Sequence, residues 1–251
     1  MGTDLAGILG HLSGNGMLLE QKEQDVDFFI HELMPLPFFG DGVYLTTTHV
    51  CTLIVMLTII IFAIIARIKL NKAKEIPDGF QNVLEFAVET LDNFVNSTMG
   101  KMGSKYINYI GALFLFIFLS NISGLFGLRP PTADYGTTLS MALISFVLIQ
   151  YCNVKNNKFG VVTDLFKPIP LLFPINLIGE FATPLSLSLR LFGNVMAGTV
   201  LLALYYGLLP WLVKLGIPAF LHAYFDLFSG AIQAYVFSML TMVFIAQKVE
   251  E

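Results

Sequence analysis

A single arginine inside an apolar stretch is the residue of this sequence that most demands a chemical explanation. Arg190 lies within EFATPLSLSLRLFGNVMAGT, Glu180–Thr199, where Glu180, Thr183, Ser186, Ser188, Asn194 and Thr199 supply the remaining polarity. At about 3.6 residues per helical turn, Thr183, Ser186, Arg190, Asn194 and Ala197 fall along one stripe, and the opposite side is mostly Leu, Phe and Val. A charge at bilayer depth costs roughly 2.5–3.5 kcal/mol on insertion scales, so it is normally kept for a function. A guanidinium cannot shed its proton to escape that cost. The sequence therefore predicts a permanent positive charge, buried in a wet groove or set opposite a carboxylate.

A second polar face lies near the C-terminus, where His222, Asp226, Ser229, Gly230 and Gln233 recur at steps of three or four. If two antiparallel helices join near Lys214, Gln233 falls near the depth of Arg190, with His222 and Asp226 beyond it toward the outside. Glu180 falls toward the cytoplasm. One wet patch (His222, Asp226, Thr199, Asn194) then opens outward and a second (Glu180, Ser186, Thr183) opens inward, with Arg190 between them. Carboxylates and imidazoles so placed suit proton relay. Each has a plainer reading. Arg190 is a structural tie to Asp226, His222 an interfacial residue, Asn194 and Gln233 interhelical hydrogen-bond partners, and Glu180 a snorkelling carboxylate.

The elements that position these residues are membrane helices. Of 251 residues, 55% are hydrophobic and 13% charged, and the mean hydropathy of +0.73 is that of a polytopic membrane protein. The expected fold is all-α, with about five membrane helices and one amphipathic surface helix. The first 48 residues are polar and acidic; they read as an external segment carrying a short amphipathic helix at FFIHELMPLPFF, Phe28–Phe39. Residues 49–251 read as one membrane domain. Its spans are Val50–Ala66, Tyr109–Leu128, Thr137–Asn153, Leu171–Leu209 and Ala219–Ala246, with an amphipathic helix at Phe80–Met99. The fourth segment exceeds the roughly 20 residues a perpendicular span needs, which predicts a strongly tilted helix in a hairpin, residues 171–248. Pro184 is a place to kink it, and Gly193, Ala197 and Gly198 permit close packing.

Charge sets the orientation. Arg67, Lys69, Lys72, Lys74, Lys101, Lys105, Lys155, Lys158, Lys167 and Lys248 all fall on one side of this plan, against Lys22, Arg129 and Lys214 on the other. Basic loops stay in the cytoplasm, which puts the N-terminus outside and the C-terminus inside. Cys51 and Cys152 fit no metal or redox spacing and read as buried spectator thiols. No cofactor motif is present, and without GxxxxGK[ST] the chain is not expected to bind ATP itself or to be an enzyme on its own. Nothing suggests nucleic-acid binding.

SLRLFGN (Ser188–Asn194), MAG (Met196–Gly198), the late Gln233 and RPPTAD (Arg129–Asp134) resemble subunit a of F-type ATP synthases, from about Val50 to the C-terminus. The resemblance implies a stator subunit of the bacterial plasma membrane. It would form two ion half-channels beside a ring of small hairpin c subunits and associate with peripheral-stalk b subunits in the F1Fo complex. Arg190 would be the stator arginine facing a ring carboxylate, and Glu180, Asn194 and Gln233 would line the ion path with Ser186, Thr199, His222 and Asp226. Many members of that family carry glutamate where this chain has Thr199 and histidine where it has Asp226, so His222 is the expected partner of Asp226. Protons are the default coupling ion, with sodium the alternative. The competing reading is a secondary transporter that binds its substrate at a buried Arg190, although no inverted repeat is visible.

Overall fold

The computed structural model describes residues 32–35, 44–71, 79–157, 170–208 and 217–250. These are almost entirely helical. The exception is a small antiparallel ribbon in which β1 (Glu32–Pro35) pairs with β2 (Tyr44–Thr46). This corrects the reading of Phe28–Phe39 as a short amphipathic helix: its central residues are extended. Pro35 and Pro37 close together deprive a helix there of two N–H donors. Residues 28–31 and 36–39 lie outside the described residues.

The ribbon leads into α1 (Thr47–Leu70). His49 closes its first turn: Nδ1 lies 2.6 Å from the Thr46 hydroxyl. Next come α2 (Gly79–Met99) and α3 (Ile107–Ile122), the latter prolonged by a 3₁₀ turn, Ser123–Phe126. Gly127, at φ 71°, ends that turn in the left-handed region that glycine adopts without a Cβ clash. Then follow α4 (Tyr135–Asn157) and α5 (Phe173–Leu208). The last span comprises α6 (Ile217–His222), a π-helical stretch (Ala223–Ser229) and α7 (Gly230–Glu250).

Five helical segments are long and apolar enough to cross a membrane: Thr47–Leu70, Ile107–Phe126, Tyr135–Asn156, Phe173–Tyr205 and Phe220–Val249. α5 has 36 residues and runs unbroken through Pro184. At 1.5 Å per residue it is about 54 Å long, against a hydrocarbon core of ~30 Å, so it can lie within a bilayer only at a steep tilt.

Two apolar clusters hold the bundle. One joins Leu113 and Ile117 of α3, Met141 and Ala142 of α4, Leu187 and Leu191 of α5, and Ala234 and Phe237 of α7. The other joins Val95 and Met99 of α2, Ile110 of α3, Ile149 and Cys152 of α4, and Met242 and Ile245 of α7. α2 is thus docked by its C-terminal half. Phe94 stacks on Tyr235 with ring centroids 5.0 Å apart, and Leu91 fills the space above Gly111. α1 is peripheral, burying only Thr48, Cys51 and Val55. Both cysteines are buried and unpaired.

Candidate functional site

The two sides of α5 differ in kind. Leu187, Ser188 and Leu191 are buried against the bundle, whereas Arg190 is exposed. The expectation of a buried arginine is therefore corrected: the chain's own helices cover the Leu187–Leu191 side and leave the guanidinium outside. Among the described residues Arg190 makes no hydrogen bond or ion pair. The tie to Asp226 does not form; that carboxylate pairs with His222 instead. Ser186, Gly193 and Ala197 share the exposed face with Arg190. A methyl group added to Gly179 or Gly193 would meet nothing within 4 Å. Gly198 faces the other way, where an added methyl would lie 3.3 Å from Phe225.

His222 and Asp226 come together at one end of the bundle, Nδ1 to Oδ2 2.9 Å. They line a cavity of about 350 Å³ with Gly124, Arg129, Met196 and Thr199. The Thr199 hydroxyl donates to the Val195 carbonyl at 3.0 Å. Gly124 lies beneath the Asp226 carboxylate: a methyl there would sit 3.1–3.2 Å from its three terminal atoms.

The π-helical stretch carries Asp226. Such segments are rare and gather at functional sites, because the widened turn re-aims side chains that an α-helix would place elsewhere. Its C-terminal end is pinned from two sides. Asn194 of α5 donates to the Ser229 hydroxyl at 2.6 Å. Buried Asn121 of α3 donates to the Gly230 carbonyl at 3.1 Å and accepts from the Thr132 hydroxyl at 2.6 Å. Gly230 permits this approach, since a methyl on it would come within 2.7 Å of the Asn121 Cβ. Gln233 is half-buried and, like exposed Ser186, has no hydrogen-bond partner among the described residues.

Glu180 belongs to the other end. It lies ten residues before Arg190, about 15 Å along the helix axis and roughly 80° around it, on the side turned to the bundle. Lys248 of α7 donates to its Oε1 at 2.7 Å, and Gln150 of α4 donates to its Oε2 at 2.7 Å. The structure therefore places the predicted residues in four groups. His222, Asp226 and Thr199 share the cavity; Asn194 is joined to Ser229; Glu180 is held separately; and Arg190, Ser186 and Gln233 have no partner among the described residues.

Four contributors were not assigned to the site from sequence. Arg129 was noted only as a charge and as part of RPPTAD, and Gly124 gave no signal. Lys248 was read as an orientation marker, and Gln150 is an ordinary polar residue in an apolar helix. Among the described residues no group of three or more His, Cys, Asp or Glu is placed to hold a metal ion.

The model of the ATP synthase A chain family matches residues 49–246. The sodium ion specific ATP synthase subunit a of Propionigenium modestum is 42% identical over 228 residues, 82% of this chain and 76% of that protein. The ATP synthase subunit a of Priestia megaterium is 38% identical over 234 residues, covering 87% and 98%. The ATP synthase subunit a 1 of Pelobacter propionicus is 37% identical over 231 residues, covering 90% and 96%.

Proposed function

The chain belongs to the ATP synthase A chain family, the subunit a of the ion-translocating Fo part, and on that premise we propose that it forms two ion half-channels beside a rotating c-ring, with Arg190 between them. The observation that carries this reading is the state of Arg190: a fixed charge on the exposed face of a membrane helix, unpartnered among the described residues, beside glycines with open space above them. Such a charge needs a counter-charge from another chain, and the open face admits a closely packed helix.

An ion enters through the cavity at His222 and Asp226, passes Thr199 and Asn194, and neutralises a ring carboxylate. The neutral site can then rotate through lipid, where an ionised carboxylate could not go cheaply. After nearly a full turn it meets the second half-channel, along Ser186 and past Glu180, and releases the ion. Arg190 holds the ionised ring carboxylate between the two passages, with Gln233 at its depth, and closes the direct path between them. Water must screen that attraction, because a dry ion pair would stall the rotor. Each charge crossing ~100 mV supplies about 2.3 kcal/mol. Nucleotide chemistry belongs to the other subunits of the F1Fo complex, and b subunits of the peripheral stalk hold this chain against the torque. The asymmetry of basic residues supports a multi-pass protein of the bacterial plasma membrane with its N-terminus outside.

In membrane vesicles carrying the assembled complex, Arg190→Ala abolishes ATP synthesis and opens a passive leak. Synthesis at the wild-type rate would overturn the mechanism. Protons are the coupling ion in this reading. The relative from Propionigenium modestum is named for sodium, and synthesis that requires sodium and survives a protonophore would replace the proton here.

A further inference from the structure

Glu180 is built unlike a proton carrier. Both of its oxygens are engaged, Oε1 by the Lys248 ammonium and Oε2 by the Gln150 amide, each at 2.7 Å. The three side chains come from α5, α7 and α4, with Glu180 and Lys248 separated by 68 residues of sequence. Glu180 and Lys248 are each only partly exposed, at 30% and 24% of the side chain. A carboxylate that takes up and passes on an ion must have a lone pair free to meet it. This one carries a hydrogen bond on each oxygen and an ammonium beside it that balances its charge, and it is turned toward the bundle rather than along the face that carries Arg190 and Ser186.

We propose that Lys248 and Gln150 are positioning residues of the inner half-channel, holding Glu180 as a fixed, charge-balanced group at its mouth rather than as a carrier in the ion path. This rests on the assignment of that end as the exit. An unbalanced carboxylate at the exit would retain a departing cation, and an unbalanced ammonium would repel it back toward the ring. Paired, the two present little net charge, and Gln150 fixes where the pair sits. The lysine that marks orientation in the sequence thereby acquires a second role, through Glu180.

A double-mutant cycle in membrane vesicles separates the possibilities, with flux normalised to the amount of assembled complex. Glu180→Gln leaves Lys248 unbalanced and Lys248→Met leaves Glu180 unbalanced; each is expected to slow ATP synthesis several-fold at saturating ADP. The double variant E180Q/K248M removes both charges and is expected to recover at least half of the wild-type rate. Lys248→Arg, which keeps the charge, stays near wild type. If the double variant is as slow as Glu180→Gln, then Glu180 carries the ion itself: the pairing proposal falls and the exit assignment stands. If both single variants run at wild-type rate, no ion passes this end, and the exit assignment falls with the proposal. If the single variants fail to assemble and the double variant assembles but is slow, the pair serves folding alone and the proposal falls.

Discussion

Asp226 and Glu180 stand at opposite ends of the hairpin made by α5 and the last span, and their surroundings treat them differently. At the Asp226 end the carboxylate has an imidazole at 2.9 Å and an open cavity of about 350 Å³ before it. An imidazole can donate or accept at either ring nitrogen, so this pair can exchange a proton with water in the cavity. At the Glu180 end an ammonium and an amide, both donors, occupy both carboxylate oxygens. The first arrangement suits a group that exchanges a proton; the second suits a charge held in place. The difference shows that a membrane carboxylate cannot be assigned to a relay by its type alone, because its neighbours decide whether it faces an open cavity beside a group that can both donate and accept, or donors alone.

The largest effect that tests this contrast comes from Asp226. Asp226→Asn keeps the shape and the contact with Gly124 but removes the carboxylate proposed above to take up the ion. Loss of a positioned proton-transfer group costs about a hundredfold or more, so proton-driven synthesis should fall by at least tenfold even where other steps share control of the rate. Fo-mediated proton flux, measured by a pH-sensitive dye in vesicles with F1 stripped away, checks it. Flux at the wild-type level would remove Asp226 from the path and leave both ends of the molecule with structural carboxylates.

A smaller effect is expected from filling the space beneath that carboxylate. Gly124→Ala places a methyl 3.1–3.2 Å from the Asp226 carboxylate, tighter than ordinary van der Waals contact but open to relief by a small shift. Gly124→Val adds two further carbons where the cavity opens. The alanine variant should keep most of its flux and the valine variant lose about three- to tenfold, with overpacking strain of roughly 1–3 kcal/mol lowering the yield of assembled complex. A matched pair of variants at Gly193, where the surface is open, sharpens the comparison. There the alanine should assemble normally, and any loss of flux must come from contact with another chain.

Much of the plan was legible in the sequence because hydropathy over some twenty residues is a strong signal. All five spans and α2 stand where hydropathy and periodicity put them, with ends shifted by a few residues. Val50–Ala66 becomes Thr47–Leu70, for instance, since Thr46 and His49 close the first turn and Arg67 and Lys69 continue the last. The pairing of His222 with Asp226 was legible from their four-residue spacing. The direction of Arg190 was not legible from periodicity, although the resemblance to subunit a implied that it faces another chain. Periodicity defines a face but not what covers it, and here the chain covers the opposite one. The π-helical stretch was also invisible: AYFDLFS has no breaker, and the widened turn follows from tertiary contacts, with Phe225 over Gly198 and Asn121 on the Gly230 carbonyl. The Glu180–Lys248 pair spans 68 residues, and no local pattern announces it. At Glu32–Pro35, amphipathic composition suggested a helix, but Pro35 and Pro37 oppose one and the chain is extended.

The smallest effect concerns the bond between Asn194 and Ser229, which lies between the two ends and near the face of Arg190. It is short, 2.6 Å, and joins α5 to the π-helical stretch. Hydrogen bonds between membrane helices contribute about 0.6 kcal/mol on average, because each partner finds another in the unfolded-in-membrane state. That is roughly a factor of three in an equilibrium. Ser229→Ala should therefore lower the thermal stability of the assembled complex slightly and change ion flux by no more than about threefold, since Asn121 still holds Gly230 from the other side. A loss of flux beyond tenfold, with assembly intact, would mean that the hydroxyl contacts the moving ion. The mobile region would then extend from Asp226 through Ser229 to Asn194, one helical turn from Arg190, and the fixed-charge region would begin only on the far side of the arginine.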